Sequence, residues 1–120
     1  MAYQDLKSRT KAMAVSVIKL VKGFPRDRIA DIIGGQLVRS ATSVAANYRS
    51  ACRARSKADF INKLGIVEEE ADESLFWLKM TKEIEIGNQG LLPALMKEAD
   101  ELVSIFSASR ITAKGNLRKQ

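Results

Sequence analysis

The chain has 120 residues, enough for one domain with a single modest core. Hydrophobic residues at 46% and charged residues at 28% exclude a disordered chain. No uncharged run approaches the ~18 residues that a membrane span requires. The net charge of +6 makes a polyanionic partner a reading to be weighed.

There are only two prolines, and β-branched residues seldom alternate with polar ones, so an all-α protein is expected. One cysteine, Cys52, allows no intrachain disulfide and fits a reducing compartment. No secretory signal is visible, because the apolar segment 12–21 is broken by Lys19 and follows a helical period. A soluble, cytoplasmic protein is the expectation. The charge is uneven: residues 1–57 hold twelve basic and three acidic residues, whereas 58–120 hold eight and eleven. The surplus in the first part can neutralise phosphates, or it can pair with the acidic second part within or between subunits. Charge alone leaves both open.

Helix one is expected over about 4–22, with Leu6, Met13, Val17, Leu20 and Phe24 inward and Lys7, Lys11, Lys19 and Lys22 opposite. Gly23-Phe24-Pro25 should end it. Helix two should begin close to Pro25, with Asp27 at the positive end of its dipole. Gly34-Gly35 is an internal weak point that allows a kink, or a short helix followed by a longer one. Beyond it Leu37, Ala41, Val44, Tyr48 and Cys52 make an inward stripe among many Ala and Ser residues, which let a neighbouring helix approach closely. Arg39, Arg49 and Arg53 fall within roughly 80° on the far side, followed by Arg55 and Lys57. They read either as a phosphate-contacting strip or as ion-pair partners for the next helix. For Arg39 the ion pair is preferred, since small neighbours invite burial there.

Helix three is expected to start at Ser56, an N-cap with Asp59 three residues on. Phe60, Leu64, Val67, Ala71, Leu75 and Leu78 form its main apolar stripe, and Ile66, Trp77, Met80 and Ile84 a second one roughly opposite. Two apolar faces imply a sandwiched helix, and for so short a chain oligomerisation is the preferred explanation. The carboxylates of 68–73 do not read as a metal site: helical di-iron pairs need histidine, which the chain lacks, and an all-carboxylate site for Mg²⁺ or Ca²⁺, though conceivable, is not specified by this spacing. No cofactor is implied. Gly87-Asn88-Gln89-Gly90 is a turn of suitable length between antiparallel helices. Helix four should cover about 91–112, with Leu92, Leu95, Ala99, Leu102 and Phe106 inward. The reading is an antiparallel up-down-up-down four-helix bundle over 1–113 and a basic, flexible tail over 114–120.

Three stretches, GQLVRSATSVAANYRSA (35–51), RARSKADFINKL (53–64) and EEADESLFWL (69–78), resemble the bacterial four helix bundle protein family. These are also called the 23S rRNA intervening-sequence proteins. The resemblance implies a homopentameric, barrel-like ring. It also implies kinship with the accessory variability protein of diversity-generating retroelements, a basic pentamer that binds nucleic acid. The family pattern falls on Gln36, Arg39, Ser40, Ser43, Asn47, Arg49, Arg53, Asp59, Phe60, Glu70, Glu73 and Trp77, and it implies no catalytic role for any of them. From the residues themselves, Arg39 and Glu73 are placed to pair between helices two and three.

The leading functional expectation is nucleic-acid association (RNA or DNA) by phosphate contacts from Lys7, Lys11, Lys19, Lys22, Arg49, Arg53, Arg55 and Lys57, with the tail. Phe60 and Trp77 fit packing better than base stacking. An oligomeric scaffold for a protein partner is the alternative. An enzyme is not expected: histidine is absent, the single cysteine lies on an apparently packed face, and no glycine loop is shaped for phosphate.

Overall fold

The computed structural model describes residues 2–118, with side chains from Leu6 onward. Four helices account for nearly all of it: α1 (Ala2–Lys22), α2 (Arg28–Ala51), α3 (Lys57–Glu83) and α4 (Leu92–Arg118). They pack in sequence order, α1 on α2, α2 on α3 and α3 on α4, as an up-down bundle 52 Å long and 21 Å across. No described helix is long and apolar enough to cross a membrane.

The core is the set of inward stripes. Leu20 and Val17 of α1 meet Leu37, Val44 and Tyr48 of α2, Leu64, Val67 and Leu78 of α3, and Leu92, Leu102 and Phe106 of α4 in one buried cluster. The Tyr48 and Phe106 rings lie 5.3 Å apart, tilted by 46°. Contact between α1 and α4 is slight. That seam is held by Arg9, whose guanidinium donates to Glu98 at 2.7 Å and to Glu101 at 3.0 Å.

The local signals explain the helix starts, with one shift. Helix α2 begins at Arg28 and not at Pro25, because the Asp27 carboxylate caps it by accepting from the Ala30 amide at 2.9 Å. Ser56 caps α3 as expected, its hydroxyl accepting from the Asp59 amide at 3.0 Å. The Asp59 carboxylate does not complete a capping box; it accepts instead from Lys63, at 3.2 Å.

Several sequence expectations are corrected. Helix α2 is continuous through Gly34-Gly35. A Cβ on Gly34 would lie 2.8 Å from the Val21 side chain and 3.2 Å from the Phe24 ring, so this glycine makes room and does not break the helix. The same ring lies over Gly87, where a Cβ would sit 2.7 Å from it and where φ is +73°. Phe24 is thus wedged between the α1–α2 connection and the α3–α4 turn. Cys52 is exposed, since α2 stops at Ala51 and the chain turns before the apolar stripe can extend to it. Arg39 is exposed as well, not buried among its small neighbours.

Helix α4 runs six residues beyond the expected Thr112, so positions 114–118 of the basic tail are helical. Lys119 and Gln120 lie outside the described residues. The second stripe of α3 is only partly uncovered. Trp77 and Met80 are half-buried within the chain, Trp77 against the core itself. Ile66 and Ile84 remain exposed, and Phe76 more so, at 53%. Helix α3 is therefore already flanked by α2 and α4 of its own chain.

Candidate nucleic-acid interface

The antiparallel order brings the start of α1, the end of α2, the start of α3 and the end of α4 to one end of the body. Phe60 of α3 shares a surface hollow with Thr112 and Asn116 of α4, and Ala58 shares another with Lys114. Arg53, Arg55 and Lys57 occupy the α2–α3 connection and the first residue of α3 at this end, all exposed. Lys114 and Arg118 approach from α4.

Lys7, Lys11 and Arg49 lie nearby on the α1–α2 flank. They line a groove of about 500 Å³ whose floor is Ala14, Thr42, Ala45 and Ala46. Lys19 and Lys22 do not join them. They stand at the far end of α1, Lys22 about 22 Å along the helix from Lys7 at 1.5 Å per residue. The eight sequence candidates therefore divide into an end group (Arg53, Arg55, Lys57), a groove group (Lys7, Lys11, Arg49) and a distant pair. None of them has an ion-pair partner among the described residues.

Three other arginines, Arg9, Arg39 and Arg110, are occupied, whereas Arg26, Arg28 and Arg118 are exposed with no ion-pair partner among the described residues. Arg39 donates through Nη1 to Glu70 at 3.2 Å and through Nη2 to Glu73. Its guanidinium is held above its ordinary pKa chiefly by the Glu73 hydrogen bond. Glu73 also accepts from the Trp77 indole at 3.4 Å. Arg110 of α4 donates to Glu68 of α3 at 2.6 Å, which raises its pKa in the same way. Arg9 is raised too, first by Glu98. Of the carboxylates at 68–73, three thus serve arginines, while Glu69 and Asp72 are exposed and unpaired among the described residues.

Beneath the Arg39 pair, the Ser40 and Ser74 hydroxyls meet at 3.0 Å in the buried α2–α3 seam. Asn47 stays within α2, donating to the Ser43 carbonyl at 2.9 Å. Among the described residues Tyr48 is buried, and the aromatic ring that reaches the basic end is that of Phe60, half-buried in the wall of a surface hollow that Arg55 and Lys57 also line. Exposed cations of this kind suit contacts to a sugar-phosphate backbone.

The bridge from Arg9 to Glu98 and Glu101 was not anticipated from sequence. Its partners are 89 and 92 positions apart, and no local pattern announces the pairing.

The fold and sequence have a solved counterpart. A protein of unknown function from the S23 ribosomal protein family of Bacteroides thetaiotaomicron superposes with a TM-score of 0.80 at 30% identity. The match covers 88% of this chain and 97% of that one. No curated protein matches the chain. The profile of the 23S rRNA-intervening sequence proteins matches residues 4–108. With most of its length inside that profile, and with the bundle to go with it, the chain belongs to the 23S rRNA-intervening sequence protein family.

Proposed function

We propose that the protein is a non-enzymatic homo-oligomer, a pentamer by its family resemblance, that associates with nucleic acid by phosphate contacts at its basic end. The observation that carries the reading is the contrast between two sets of cations. Arg9, Arg39, Lys63 and Arg110 are matched by carboxylates, whereas Arg53, Arg55 and Lys57 gather at one end with none among the described residues. Lys22, Arg26 and Arg28 are unmatched at the opposite end too, but Asp27 and Asp31 adjoin them. By contrast, no acidic residue lies between Arg53 and Lys57, and Lys114 and Arg118 add to their end. Such a surplus suits a polyanion, and copies assembled side by side would multiply it. Exposed Ile66 and Phe76 on α3, Ile84 at its C-cap, and Ile29 and Ile32 on α2 support assembly.

The test is a mobility shift with a labelled 20-nucleotide RNA and with duplex DNA of the same length, across a salt series. Binding that weakens steeply with salt, and whose log–log slope falls by ~0.7–0.9 for each of Arg53, Arg55 and Lys57 replaced by alanine, is expected. No shift at low salt would reject the reading. The same exposed apolar residues also favour a second reading, a scaffold whose partner is a protein. Its signature is a stoichiometric complex with one defined protein and no nucleic acid in the purified material.

A further inference from the structure

Two surfaces left unexplained by the bundle complement each other. The first is the α1–α2 groove. Its floor is small and mostly apolar (Ala14, Ala45, Ala46), and Lys7, Lys11 and Arg49 stand around it. Val15 and Ile18, both exposed, continue the apolar surface along α1. On an ideal wheel Lys7, Lys11, Val15 and Ile18 fall within roughly 80° of one another, so they form one face. The second surface is the outer face of α3. Ile66, Glu69 and Phe76 fall within roughly 80° there, with Asp72 at its edge. All four are exposed, and neither carboxylate has an ion-pair partner among the described residues.

We propose that the α1–α2 groove of one copy receives the outer face of α3 of a second copy. The proposal rests on the oligomeric reading above and names the surfaces that meet. Charge selects this occupant: two unpaired carboxylates on an apolar helix face answer three unpaired cations around an apolar groove. Spacing agrees. Glu69 and Phe76 are seven residues apart, about 10 Å along α3, and so are Lys11 and Ile18 along α1. One alignment therefore sets carboxylate against ammonium and ring against isoleucine. The alanine floor lets the incoming helix approach closely, since side-chain size sets the distance between helix axes. Because the two surfaces differ and lie on different sides of the rod, the contact is head-to-tail. Each copy gives one surface and takes the other, so the assembly closes as a ring or continues as a filament. The groove cations are then interface residues, and of the eight candidates the end group and the distant Lys19–Lys22 pair are left for a polyanion.

The experiment is a charge swap read by light scattering at low salt, with circular dichroism to check that each variant is helical. Lys7→Glu with Lys11→Glu should reduce the mass toward the 13.3 kDa of one chain, and so should Glu69→Lys with Asp72→Lys. The fourfold variant, with both sides reversed, should regain the wild-type mass. Ala46→Trp, at an exposed groove position, should dissociate the assembly without altering any charge. A wild-type protein that is itself monomeric would overturn the oligomeric reading and this inference together. An assembled wild type whose double variants keep its mass, or a helical fourfold variant that stays dissociated, would overturn the interface alone. The RNA mobility shift of the wild type reads the nucleic-acid proposal independently of all these masses.

Discussion

The guanidinium of Arg39 on α2 donates to the carboxylate of Glu73 on α3, and Glu70 flanks it from the same helix. The contact ties two helices at one height, directly over the buried Ser40–Ser74 hydroxyl pair. Its side chain is nonetheless 47% exposed, so solvent screens most of its Coulomb attraction. Arg39→Ala should therefore lower the melting temperature by only a few degrees. Glu73 would lose its cation but keep the Trp77 indole, so a small change in tryptophan emission should accompany the loss. A drop beyond ten degrees or so would show that the pair does more than exposed ion pairs do.

Neighbouring glycines in α2 should respond with opposite signs. A Cβ on Gly35 meets nothing within 4 Å, so Gly35→Ala should stabilise the helix by up to ~1 kcal/mol. A Cβ on Gly34 would collide with Val21 at 2.8 Å and crowd Phe24, and Gly34→Ala should destabilise. Urea denaturation of the two variants side by side checks the contrast.

Gly87 should tolerate alanine less well than Gly34. Its φ of +73° costs an L-residue about 1–2 kcal/mol before any contact is counted, and its Cβ would stand 2.7 Å from the Phe24 ring. Gly87→Ala should lower the urea midpoint with little change in the slope, and Phe24→Leu should relieve part of the loss.

Phe106 is wholly buried and stacks near Tyr48 at the centre of the cluster. Phe106→Ala should cost about 3–5 kcal/mol, a large share of the roughly 5–15 kcal/mol that holds an ordinary domain together. A calorimetric scan should show a markedly lower and broader transition.

What could be read from the chain was what local chemistry decides. The Ser56 cap and the stripe Leu37–Ala41–Val44–Tyr48 depend on spacing within one helix, and they stand in the structure as expected. Cys52 failed because a helical wheel does not say where the helix stops. The role of Gly34 was not legible because it is set by Phe24, which arrives from outside α2. The seam at Arg9 was invisible for the same reason, its carboxylates lying on a helix introduced 80 residues later. For the candidate site, sequence supplied the cations but not their grouping. Only the antiparallel stacking separates Lys19 and Lys22 from the end that Arg53, Arg55 and Lys57 share.

One ring governs the opposite end of the rod. Phe24 presses on a glycine from each half of the chain, Gly34 and Gly87, where direct contact between the first and last helices is sparse. It works like a latch between two hairpins, so neither can swing away without releasing the other. Loosening that end requires the ring to leave both glycines, a tie that adds to the broad α2–α3 interface already joining the two hairpins.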